Sequence, residues 1–155
     1  MSMRLRQYVK PECFIAELSE KNREDALRRI VATVAGHGYI KNEQEIFTKL
    51  MDRELIQSTA VGSGIAIPHC FSDEIADLII VVARSTAGVE FDSFDGKLTH
   101  VVFLLMGNKN EHGLHLKALA RIARLIKNTS FIERVITCST VEEMLRAFDE
   151  EEAKI

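Results

Sequence analysis

Val101-Val102-Phe103-Leu104-Leu105-Met106 is the stretch that decides the fold. Six apolar residues in succession fit a strand covered on both faces, because a strand with one wet face would alternate with polar residues. Leu78-Ile79-Ile80-Val81-Val82-Ala83 repeats the pattern. A third, shorter run, Ile65-Ala66-Ile67, ends at Pro68, whose fixed φ and missing N–H are expected to stop the ladder there. All three runs are expected in one sheet.

Outward from these runs the spacing turns helical. Asn22 caps a helix carrying Ala26, Leu27, Ile30, Val31 and Val34 at helical intervals until Gly36 and Gly38 stop it. Asn42 with Glu45 forms a capping box ahead of Ile46, Phe47 and Leu50, and that helix closes near Glu54. From about Asn110 to Asn128 a long helix places Leu119, Ile122, Ala123 and Ile126 on one stripe. Phe131–Ile136 continues as a short helix. Thr140 and Glu143 then cap a last one holding Met144, Leu145 and Phe148, before a charged tail from Asp149. Cys13–Leu18 fits a further strand.

Strands alternating with helices give an α/β class, a single sheet with helices on both faces. Part of the pairing is expected to be antiparallel, because Val89–Leu98 carries the turn pair Asp95-Gly96. At 155 residues one domain is the expectation, residues 1–155, with a short N-terminal leader. The absence of Trp points to an aliphatic core. A net charge of −3 offers no field to hold a nucleic-acid backbone, so no nucleic-acid partner is expected. The apolar runs fall well short of the roughly 20 residues that cross a bilayer, so no membrane insertion is expected. Cys13, Cys70 and Cys138 are odd in number and form no CxxC pair, which suits free thiols in a reducing, cytoplasmic compartment.

Of five histidines, two stand where chemistry could use them. His69 follows a buried strand and a Pro, so a rigid element presents its ring. His115 is four residues before Leu119 and seven before Ile122, which turns it inward near the start of the long helix. The positive end of the helix dipole there disfavours an imidazolium and attracts an anion. His112 is one turn earlier, in the preceding loop. His37 and His100 are read as ordinary residues. Arg53 closes the second helix just before the bend Gln57-Ser58-Thr59-Ala60-Val61-Gly62-Ser63-Gly64, where a guanidinium could fork onto phosphate. Gly62 and Gly64 remove side chains beside His69 and let backbone N–H groups converge on an anion. Zinc chemistry built on His69, Cys70, His112 and His115 is the rival, and it lacks an HExxH or CxxC pair. A serine hydrolase would need a GxSxG elbow, and Gly62-Ser63-Gly64 supplies only GSG.

Gly62-Ser63-Gly64-Ile65-Ala66-Ile67-Pro68-His69, preceded by Arg53-Glu54 and Ser58-Thr59, resembles the segment around the phosphorylated histidine in the fructose/mannitol-type IIA components of the bacterial phosphotransferase system. Phe91-Asp92-Ser93-Phe94-Asp95-Gly96, the run Val101–Met106, and His115-Leu116 opening an apolar helix follow in the same order, so the resemblance covers about Met3 to Phe148. It implies a mixed sheet flanked by helices and a phosphocarrier. His69 would accept phosphate from a histidine-phosphorylated carrier protein, and His115 would be the second histidine contacting it. Arg53 would steady the phosphate, with Ser58, Thr59, Gly62 and Gly64 lining its site. No metal or other cofactor is expected. Downstream partners would be a IIB component or regulatory targets. The Phe-Asp-Ser-Phe-Asp-Gly stretch favours the nitrogen-regulatory branch over sugar transport. Cys70 stands where relatives often carry Gly, which bears on the backbone just after the acceptor. A binding module without chemistry at His69 is the remaining alternative.

Overall fold

A computed structural model describes residues 3–155. Two 3-10 turns, Leu5–Gln7 and Pro11–Cys13, lead into β1 (Phe14–Ile15), then α1 (Arg23–Gly36) and α2 (Glu43–Ile56). Three short strands follow: β2 (Ala60–Gly62), β3 (Ile65–Ala66) and β4 (His69–Phe71). The long strands β5 (Ile79–Val89) and β6 (Thr99–Gly107) precede α3 (His112–Asn128), α4 (Phe131–Thr137) and α5 (Val141–Glu152).

All strands join one mixed sheet in the order β1-β5-β6-β3-β2, with β4 also on β6. The three apolar runs thus share a sheet, and β5 pairs antiparallel with β6 along the register Ile80↔Leu105, Val82↔Phe103. Helices stand against them, so every residue of the two runs is buried except the half-buried Ile79. α1 and α2 pack together and lie on β5 and β4, whereas α3, α4 and α5 form a second group against β1, β5 and β6. Asn22, Asn42 and Thr140 each accept the backbone N–H three residues on, as the caps require. The box at Asn42 is only half closed, because its own N–H donates to the Glu74 carboxylate rather than to Glu45.

Several expectations need correction. Pro68 does not end the pairing. It splits one strand into β3 and β4, both parallel to β6, and its carbonyl still accepts the Leu105 N–H at 2.9 Å. The expected strand Cys13–Leu18 shrinks to two residues, since Pro11–Cys13 winds as a 3-10 turn. The core is not purely aliphatic: Phe14, Phe148, Phe131 and Phe103 form a chain of rings spaced 5.6, 5.3 and 6.0 Å. Nor is there a charged tail from Asp149. α5 continues to Glu152, which is 1% exposed, because its carboxylate takes the Leu5 and Arg6 N–H groups and pairs with Arg121 at 2.6 Å. A 3-10 turn has unsatisfied amides at its start, and here a buried acid from the far end of the chain meets them.

Candidate functional site

β4 is three residues long, and its alternation sorts the side chains. Cys70 goes inward and is 5% exposed, with burial pushing its thiol up to about 12, so it is an inert core residue. His69 and Phe71 take the other face and are half-buried. Ladder bonds to β6 through Leu105 and Gly107 fix the backbone on which His69 stands. Its Nδ1 lies 2.9 Å from the Ile67 carbonyl oxygen. A carbonyl can only accept, so Nδ1 carries the proton and Nε2 keeps the lone pair.

α3 brings up the second imidazole. His115 faces inward, as its spacing predicts, and is 3% exposed. Its ring lies 5.5 Å from that of His69 at 61°. Neither ring nitrogen of His115 has a hydrogen-bond partner, an unusual state for a buried polar group. Burial first, then the neighbouring His69 and His112, pulls its pKa from 6.5 down to about 4. The ring is therefore neutral at pH 7, with burial as the leading cause. Two more residues close the pocket. The Phe71 ring lies 4.5 Å from His115 on one side and 4.5 Å from His112 on the other. Gly107 lies so close that a Cβ there would sit 3.1 Å from His115 Nδ1. His112 is the first residue of α3 and exposed, rather than part of the preceding loop. The first turn of α3 has no side-chain cap, which leaves its leading N–H groups without a protein partner.

The residues expected to cradle phosphate are placed elsewhere or already engaged. Gly62 and Gly64 bound a hairpin between β2 and β3, with φ of +88° and +81°. Register puts Ile65 beside Val101 and His69 beside Leu105, so the hairpin turn begins ~13 Å down the sheet from His69, at about 3.3 Å per residue. Gly64 neighbours His100 and Leu98 instead. The amides of the bend do meet anions, but these belong to the protein. Glu54, 1% exposed, takes the Thr59 N–H at 3.1 Å and the Thr59 hydroxyl. Asp95 takes the Ser63 N–H at 3.0 Å together with the Ser93 hydroxyl and Lys97 N–H, and these bonds hold its carboxyl down at about 2. Ser58 donates to the Phe91 carbonyl and accepts the Ala60 N–H. Arg53, in the last turn of α2, donates to the Gln57 carbonyl at 2.8 Å.

The four-residue zinc set is not assembled, since Cys70 leaves by the opposite face of β4. Among the described residues no three His, Cys, Asp or Glu side chains group as metal ligands, and no helix is long and apolar enough to cross a membrane. Sequence reading missed Gly107 and Glu54. The signal for Gly107 was a glycine ending a buried strand, which often marks a close approach.

Residues 7–151 match the family model described as phosphoenolpyruvate-dependent sugar phosphotransferase system, EIIA 2. A nitrogen regulatory protein of Bradyrhizobium diazoefficiens is 34% identical over 133 residues, 86% of each chain. The nitrogen regulatory protein IIA-Ntr of Neisseria meningitidis superposes with a TM-score of 0.84 at 23% identity, over 93% of this chain and 98% of that one. Enzyme IIAMTL of Escherichia coli, solved in complex with phosphorylated enzyme IIBMTL, superposes with a TM-score of 0.77 at 22% identity, over 92% and 99%. One mixed sheet between two helix groups is thus the frame of a known lineage, and the chain belongs to the EIIA 2 family of the phosphoenolpyruvate-dependent sugar phosphotransferase system.

Proposed function

We propose that this phosphotransferase-system component carries its phosphoryl group on His69 Nε2, received from a histidine-phosphorylated carrier protein, and that its phosphorylation state is a regulatory signal. The observation that carries the assignment is the pairing of a tautomer-locked imidazole with a buried, neutral one. The Ile67 carbonyl holds the proton on Nδ1, so Nε2 is the nucleophile and attacks phosphorus in line. The donor's nitrogen–phosphorus bond breaks as the new one forms. His115, without partners of its own, has a ring N–H to give to the arriving oxygens. The uncapped first turn of α3 adds backbone N–H groups and the positive end of a 17-residue helix. These groups act by position and charge, which is what a loose phosphoryl transition state requires.

Arg53 would reach the phosphate only by leaving the Gln57 carbonyl, an exchange that a docked, dianionic group favours. Ser58, Thr59, Gly62 and Gly64 then shape the bend that holds α2 against the sheet rather than touching phosphate. Leu116, adjacent to His115 and 66% exposed, with Leu55 and Ile56 at the end of α2, offers apolar surface for a carrier and for a downstream IIB component or regulatory target. The regulatory branch is preferred because the nitrogen regulatory relative is 34% identical over most of both chains, above the 30% of the mannitol-specific IIA component of Bacillus subtilis. Transfer to a sugar-specific IIB remains the second reading, favoured by the solved IIAMTL–IIBMTL pair. The free cysteines suit a cytoplasmic location. Incubation with phosphorylated carrier, followed by intact mass and peptide mapping, tests the site: one phosphoryl group at His69 supports it, and label elsewhere refutes it.

A further inference from the structure

We propose that His112, an exposed third histidine, is a positioning residue that orients His115 by clamping Phe71. The inference rests on the phosphocarrier reading for its consequence, though not for its geometry.

A buried histidine is normally oriented by a hydrogen bond on one ring nitrogen, and His115 has none on either. Packing alone must hold its ring. The packing partners are the His69 ring at 5.5 Å, Gly107 pressed against Nδ1, and the Phe71 ring at 4.5 Å with a 42° tilt. His69 and Gly107 stand on laddered strands that fix their backbones, and the His69 ring is further held by its bond to the Ile67 carbonyl. Phe71 is different, because it is half-buried at the last position of a three-residue strand. What covers its outer face is His112, stacked at 4.5 Å and 22° from parallel. His112 makes no hydrogen bond that would explain its placement, so the stack is its contact. The order His112, Phe71, His115, His69 runs from solvent to acceptor, and removing the outer ring frees Phe71 to rotate and His115 to follow.

Fixed orientation matters because a phosphoryl oxygen must find a ring N–H at one angle. A misplacement near 1 Å costs on the order of a hundredfold in rate, so His112→Ala is expected to slow phosphoryl transfer through His69 by roughly ten- to hundredfold. His112 is exposed at a helix start, and its removal leaves the fold intact. The decisive variant is His112→Phe, which keeps a flat ring and discards both nitrogens.

The experiment has two arms. In the unphosphorylated protein, side-chain NMR of labelled His115 reads ring order directly: a single sharp set of ring resonances in the parent and in His112→Phe, and broadened or averaged ones in His112→Ala. In the second arm, quench-flow transfer from phosphorylated carrier should show His112→Ala slowed with little change in KM, and His112→Phe restored to within about threefold. Unchanged His115 resonances and rate in His112→Ala overturn the proposal. So does a His112→Phe protein that behaves like His112→Ala, since ring nitrogens rather than stacking would then be at work. If the parent takes no phosphate at His69, the functional reading fails while the NMR arm still decides the positioning role.

Discussion

The bend at residues 57–64 and the first turn of α3 both gather backbone N–H groups, yet they differ in what answers them. In the bend, Glu54 and Asp95 accept the Thr59 and Ser63 N–H groups, and the Ser58 hydroxyl accepts that of Ala60. At α3 no side chain caps the turn, and the imidazole one turn further in is buried without a partner. Both regions attract negative charge for the same physical reason. The first has been given its charge by the fold and is structure. The second has been left waiting, and an unmet polar group kept at a cost of about 1–3 kcal/mol is the better mark of a site.

The contrast can be broken most severely at the acceptor. His69→Gln is expected to lose all phosphorylation by the carrier, measured as incorporated label, and any retained stoichiometry moves the site away from β4. The buried partner should show in a pH titration of stability. The folded pKa of His115 is about 4 and the unfolded one about 6.5, so between those values the unfolded chain binds a proton that the folded chain does not. Stability then rises with pH across that window, by up to about 3 kcal/mol from this one group. Urea melts at pH 4.5 and 7 should differ by less in His115→Gln than in the parent.

A gentler probe is Gly107→Ala, which places a methyl against His115 Nδ1. Transfer is expected to slow by about tenfold with a nearly unchanged melting temperature, read by quench-flow and calorimetry. Thr59→Val should do the reverse. It strands part of the buried Glu54 carboxylate, costs about 1 kcal/mol in a denaturant melt, and leaves the phosphorylation rate within about twofold. A large rate loss there would return Thr59 to the phosphate.

Much of this was legible in order along the chain. Val101–Met106, Leu78–Ala83 and the caps at Asn22 and Thr140 announce themselves because burial on both faces and local capping are written in neighbouring residues. That His69 stands on a strand and His115 faces inward was legible from rigidity and from spacing, both local signals. The opposite holds for what the bend does with its amides. Asp95 is 32 residues from Ser63, and only the connection between β5 and β6 brings it there. Glu152 meets Leu5 across 147 residues, so nothing near Asp149 in the sequence marks this stretch as a buried helix end. Pro68 hides its pairing for another reason. It removes one donor from a ladder, but its own carbonyl still accepts the Leu105 N–H, and the pairing with the long neighbour resumes at His69.

The bond from His69 to the Ile67 carbonyl has a consequence for the chemistry of release. On the proposed assignment, with its proton fixed on Nδ1, the ring would become cationic once Nε2 took the phosphoryl group, and a cationic imidazole departs readily as a neutral molecule. Arrival and departure of the cargo then need no proton to be fetched or discarded. One main-chain oxygen keeps the carrier charged like a spring with its catch already lifted, idle until a second protein comes close enough to receive.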